Sequence, residues 1–127
     1  MTLLILLFTG ISLLMIGLSI PLILRRVRPN AWYGFRIPLT LENPDIWYPA
    51  NRYSGWLLLV YGLALLVLTF GLPLLLGDLP EEPAAGIYSL CIAIVSLVGL
   101  VPVLVLSLSY ARRLADELES KDKNASF

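Results

Sequence analysis

The sequence predicts an all-α membrane protein with three transmembrane helices, and three observations carry that prediction. Hydrophobic residues make up 58% of the 127, charged residues only 14%, and mean hydropathy is +0.84. A soluble domain of this size cannot hide so much apolar side chain from water, whereas a bilayer is the solvent that suits it. Residues 3–24, 55–76 and 84–110 carry no Asp, Glu, Lys or Arg. All nine basic residues fall on two of the segments between and after these runs.

The first span, residues 3–24, reaches about 33 Å at about 1.5 Å per residue, enough to cross a hydrocarbon core. It lacks a basic leader and ends in Leu24-Arg25-Arg26 rather than a small-residue cleavage site, so it reads as a retained anchor. A connecting loop, residues 25–54, leads to the second span, residues 55–76. A short turn, residues 77–85, leads to the third span, residues 86–110, and a tail, residues 111–127, follows. Together they form one membrane domain.

Orientation follows from the basic residues. The first loop holds Arg25, Arg26, Arg28, Arg36 and Arg52, and the tail holds Arg112, Arg113, Lys121 and Lys123. The turn between spans two and three has only Asp78, Glu81 and Glu82. The positive-inside rule then predicts a multi-pass membrane protein with its N-terminus outside and its loop and C-terminus in the cytosol.

Small residues predict where helices meet. Gly10 and Gly17 share one face of the first span, and Ser89, Ala93, Ser96 and Gly99 share one of the third. No GxxxG pattern is present, and Pro73 and Pro102 are expected to kink their helices. The tail reads as a solvated extension of the third helix, with Arg112–Asp116 and Arg113–Glu117 at i, i+4 in the less favourable order. Asn124-Ala125-Ser126 fits a glycosylation pattern and is read as chance on a cytosolic tail.

Several function classes lose their chemistry. The chain has no histidine and one cysteine, Cys91, which rules out an internal disulfide and His-based acid–base catalysis. It also removes most zinc and copper sites and a histidine ligand to haem. Without ionisable groups in the spans a proton or ion path is not expected. No catalytic residues, metal or cofactor are predicted, and zero net charge gives no reason to expect nucleic-acid binding.

The loop is the distinctive part. Residues 25–56 interleave Trp32, Tyr33, Phe35, Trp47, Tyr48, Tyr53 and Trp56 with arginines. That composition fits an interfacial belt, with arginines meeting lipid phosphates, as well as it fits a dedicated site. Pro29-Asn30 starts a turn, and Gly34 permits positive φ or a close backbone approach. Asn43-Pro44-Asp45 reads as a helix start, with Asn as N-cap, Pro at the first position and Asp on the positive end of the dipole. Ile46, Trp47, Ala50 and Tyr53 would then make an amphipathic stripe lying on the membrane. Pro49 leaves two readings, a bent helix or one that begins near Pro49.

The string Pro29-Asn30, Trp32-Tyr33-Gly34-Phe35-Arg36, Thr40, Asn43, Trp47, Asn51-Arg52 and Gly55 resembles the signature of the SdpI family of small bacterial membrane proteins. The resemblance covers about a third of the chain. Ile37 departs from the pattern, which commonly has Thr there, and the additional N-terminal helices of the longer family member are missing. The resemblance implies a place in the bacterial cytoplasmic (inner) membrane and immunity to, or signalling in response to, a membrane-active peptide toxin, coupled in the longer member that gives the family its name to a repressor held at the membrane. The cytosolic loop would be the docking surface. Arg36 and Arg52 would supply forked donors, Asn30, Asn43 and Asn51 amide hydrogen bonds, and Trp32 and Trp47 buried anchors, with Gly34 and Thr40 ordering the loop. Arg36 and Arg52 fit equally well as groups that fix the loop itself. Expected partners are the bilayer and a peptide toxin, a cytoplasmic repressor or a larger membrane complex. The last belongs to an alternative reading, a non-catalytic accessory subunit.

Overall fold

The computed structural model describes residues 1–78 and 80–125 and contains four helices. They are α1 (Thr2–Ile23), α2 (Pro38–Glu42), α3 (Pro44–Leu75) and α4 (Glu81–Ala125). Three of them, α1, α3 and α4, are long and apolar enough to cross a membrane. The position of Ser126 in the Asn124-Ala125-Ser126 triplet lies outside the described residues.

At about 1.5 Å per residue, α3 and α4 run to about 48 and 68 Å, well beyond a hydrocarbon core of about 30 Å. The excess of both projects at the end where residues 24–43 fold, called the loop end below. The second helix therefore begins far earlier than the predicted span. Asn43 Oδ1 accepts from the Asp45 amide at 2.9 Å, Pro44 occupies the first turn, and Asp45 faces the positive end of the dipole. Helix α3 then continues through Pro49. Pro49 has no amide for the Asp45 carbonyl, and the cost is limited because Asp45 is exposed to solvent. At the opposite end Glu81 and Glu82 lie in the first turn of α4, where negative charge is favoured.

Helix α3 is central, packed against α1 on one side and α4 on another. Gly62 lets α1 come close, since a Cβ there would sit 3.3 Å from the Ser12 carbonyl oxygen and 3.0 Å from Ile16 Cγ1. The predicted glycine face of α1 is not the contact: nothing lies within 4 Å of a Cβ built at Gly10 or Gly17. Buried Ser12 and Ser19 form the contact face instead, each satisfied by its own helix, Ser12 Oγ to Phe8 O at 2.7 Å and Ser19 Oγ to Ile16 O at 2.6 Å. Of the small-residue stripe on α4, Ser96 and Gly99 meet Tyr61, whose hydroxyl donates to the Ser96 carbonyl at 2.6 Å, while Ala93 is exposed. Near the acidic turn, Leu65, Tyr88 and Ile92 form a cluster closed by Phe8, whose ring meets Tyr88 edge-on at 6.5 Å.

A second apolar cluster lies at the loop end, where Ile46, Ala50 and Ala111 are buried against Phe35, Ile37, Leu39, Leu114, Ala115 and Leu118. Two expectations are corrected here. Of the predicted stripe, Ile46, Trp47 and Ala50 face protein, with exposures of 3%, 0% and 0%, and do not lie on the membrane, while Tyr53 is half-buried. The tail is not solvated all round, because Ala111, Leu114, Ala115 and Leu118 supply one wall of the cluster. Among the described residues the tail's salt bridge is Glu119–Lys123 at 2.6 Å, in the favourable order, rather than either predicted arginine pair.

Candidate functional site

The loop is a folded cap over the start of α3, built by a few side chains that satisfy its backbone. Asn30 turns the chain: its Oδ1 accepts the amides of Trp32 and Tyr33, both at 2.8 Å, and its Nδ2 donates to the Arg28 carbonyl at 2.7 Å. Tyr33 reaches back and donates its hydroxyl to the Leu18 carbonyl of α1. Burial pushes that phenol above its usual range, which keeps it a donor.

Gly34 follows with φ +108, a conformation that L side chains rarely adopt. Space forbids a side chain there as well, because a Cβ would lie 2.4 Å from Asn51 Oδ1. Asn51, on α3 and 2% exposed, pins the next residue. Its Oδ1 accepts the Phe35 amide at 2.6 Å, and its Nδ2 donates to the Trp47 carbonyl at 3.0 Å and the Phe35 carbonyl at 3.4 Å. Thr40 completes the clamp. Its buried Oγ1 donates to the carbonyls of Phe35 and Ile37 and accepts the Ile37 amide, with separations of 3.0, 3.0 and 3.1 Å. This bond is half of a capping box, so the start of α2 is satisfied without a hydroxyl at position 37. The Ile37 side chain packs in the apolar cluster instead.

Trp47 is fully buried and donates Nε1–H to the Val27 carbonyl at 2.8 Å, tying the far end of the loop to α3. Trp32 is the opposite case. It is 90% exposed, so of the two expected buried anchors only Trp47 is one. Arg36 is exposed and donates through Nη1 to the Ala31 carbonyl, a bond within the loop. Arg52 points elsewhere, into a crevice that it shares with Arg25, so the two predicted arginines do not converge.

Six of the nine predicted residues, Asn30, Gly34, Thr40, Asn43, Trp47 and Asn51, therefore shape the loop and the start of α3. Trp32, Arg36 and Arg52 are presented at the surface. Sequence reasoning missed the tail face, although Ala111, Leu114, Ala115 and Leu118 recur at helical spacing and could have revealed it. It also missed Arg25 as a companion of Arg52, and no sequence signal marks that pair.

In comparison with known proteins, the family model described as the SdpI/YfhL protein family matches residues 26–109. No curated protein and no solved structure matches the chain.

Proposed function

The chain belongs to the SdpI/YfhL family, and from that premise we propose that it acts in immunity to, or signalling in response to, a membrane-active peptide toxin. The loop is its docking surface for a cytosolic partner. The single observation that supports this reading is Trp32, 90% exposed on a loop whose backbone is pinned on both sides by Asn30, Asn51 and Thr40. A large aromatic side chain held out from an ordered backbone can be buried by a partner at little conformational cost, which is how hot-spot anchors act. Arg36, held to Ala31 beside it, adds a forked cation. The distribution of Lys and Arg supports a cytosolic position for the loop and tail in a bacterial inner membrane.

The test is survival of cells challenged with membrane-active peptide toxins. Cells expressing the chain survive, and Trp32→Ala abolishes that protection at unchanged protein level in the membrane. Protection by Trp32→Ala equal to wild type overturns the docking role. A stable heteromeric assembly recovered in mild detergent, together with no protection against any toxin, favours an accessory subunit instead.

A further inference from the structure

A crevice of about 290 Å³ opens at the loop end between the end of α1, residues 49–56 of α3 and Tyr110 of α4. Arg25, Pro49, Arg52, Tyr53, Trp56 and Tyr110 line it, so it carries two guanidinium groups and no carboxylate. Among the described residues neither arginine side chain makes a salt bridge or a hydrogen bond. Tyr53 and Tyr110 stack at 4.4 Å with 16° between their planes and form a rigid wall joining α3 to α4. Trp56, 49% exposed, stands at the rim, and from it to Leu75 α3 holds no charged residue. The crevice thus lies where an uncharged helix begins, the level at which tryptophan and arginine meet lipid headgroups.

The conformation of Arg25 adds an independent observation. Helix α1 ends in a Schellman motif, with the Arg25 amide donating to Leu22 O at 3.1 Å and the Arg26 amide to Pro21 O at 3.0 Å. Arg25 occupies the left-handed position of that motif at φ 56, the position glycine favours. An arginine is therefore kept where backbone energetics favour glycine, and its side chain faces the crevice.

We propose that this crevice binds the phosphate of an anionic phospholipid, with Arg25 and Arg52 as the paired donors and Trp56 and the tyrosine stack against the glycerol backbone. Two guanidinium groups without a protein anion match phosphate in charge and in forked geometry. Bilayer lipid rather than soluble phosphate is the occupant, because the rim is aromatic and the helix beyond it is apolar. The inference stands on the crevice alone and does not depend on the proposed immunity role.

Native mass spectrometry of the full chain, released from nanodiscs with and without phosphatidylglycerol, tests it. Wild type retains phosphatidylglycerol. Arg25→Gly and Arg52→Gln each lower that retention by about tenfold or more, the scale of a lost charge-assisted pair. Lys121→Gln, which removes the same charge from the tail, leaves it unchanged. Arg25→Gly separates binding from folding: glycine suits the left-handed position, so the lipid-free protein melts at the wild-type temperature or above while retention falls. Wild-type retention in both arginine variants overturns the proposal. Inorganic phosphate that displaces phosphatidylglycerol overturns the assignment to lipid.

Discussion

Asn51→Ala should release the loop while leaving the three long helices packed. The substitution removes three hydrogen bonds, of which those at 2.6 and 3.0 Å are well formed and the one at 3.4 Å is weak. The 3.0 Å bond runs within α3 and does not tie the loop, so with about 1 kcal/mol for the Phe35 amide bond and about 1 kcal/mol or more for that amide left without its partner, the loop loses about 2–3 kcal/mol. The Trp47 carbonyl is not orphaned, since it also lies in the main-chain ladder of α3. If the loop opens and recloses faster than it is cut, trypsin reads the open population directly, and about 1.4 kcal/mol corresponds to tenfold. Cleavage after Arg36 in detergent micelles should therefore accelerate by about thirtyfold or more. Cleavage within about twofold of wild type would refute the reasoning, because Asn51 would then not hold the loop. Gly34→Ala provides a second handle on the same contact. It strains a residue at φ +108 and drives a Cβ into Asn51 Oδ1. The two substitutions should be non-additive by about 1–2 kcal/mol, because Asn51→Ala removes the atom with which the new methyl collides.

The other predictions concern single contacts. Trp47→Phe keeps an aromatic ring in the buried site but loses the bond to Val27 O, at a cost of about 1–3 kcal/mol, whereas Trp47→Ala empties the site at about 3–5 kcal/mol; thermal unfolding in micelles should rank them in that order. Thr40→Val should unprotect the Ile37 amide in hydrogen exchange, since its Oγ1 is the acceptor there, and unchanged protection would remove Thr40 from the clamp. Gly62→Leu should separate α1 from α3 and lower the melting temperature, while Gly10→Leu, facing open space, should leave it unchanged. Lys123 lowers the Glu119 carboxyl below its usual range, so any stabilisation by the pair is present at neutral pH and lost as pH falls; both groups are fully exposed, and Glu119→Gln should not move the melting temperature.

The spans were legible because lack of charge over a bilayer's width has few other meanings. The start of α3 was legible as well, since Asn43, Pro44 and Asp45 each act through local backbone chemistry. What local chemistry cannot supply is the choice between chemically equal residues. Trp32 and Trp47 look alike in the sequence, yet one is fully buried and the other 90% exposed. Only the path of the chain past Val27 decides which is which. Asn51 reaches Phe35 across sixteen positions, a closure that no periodicity announces. Pro49 weighs against a helix start at Pro44 by its own propensity, but burial of Ile46, Trp47 and Ala50 against the loop and tail outweighs one missing hydrogen bond. The pairing of Arg25 with Arg52 depends on a left-handed arginine at the end of α1, where the usual sequence signal for that turn would be glycine.

The central claim is a chain that crosses the membrane with its folded loop and tail on one side and its acidic turn on the other. Single cysteines introduced as Arg28→Cys and Gly77→Cys in a Cys91→Ser background, labelled with a membrane-impermeant maleimide, test it most directly. The account predicts that position 77 labels in intact spheroplasts and that position 28 labels only after the membrane is opened. Labelling of both positions from the same side, or of position 28 alone in intact spheroplasts, would contradict it.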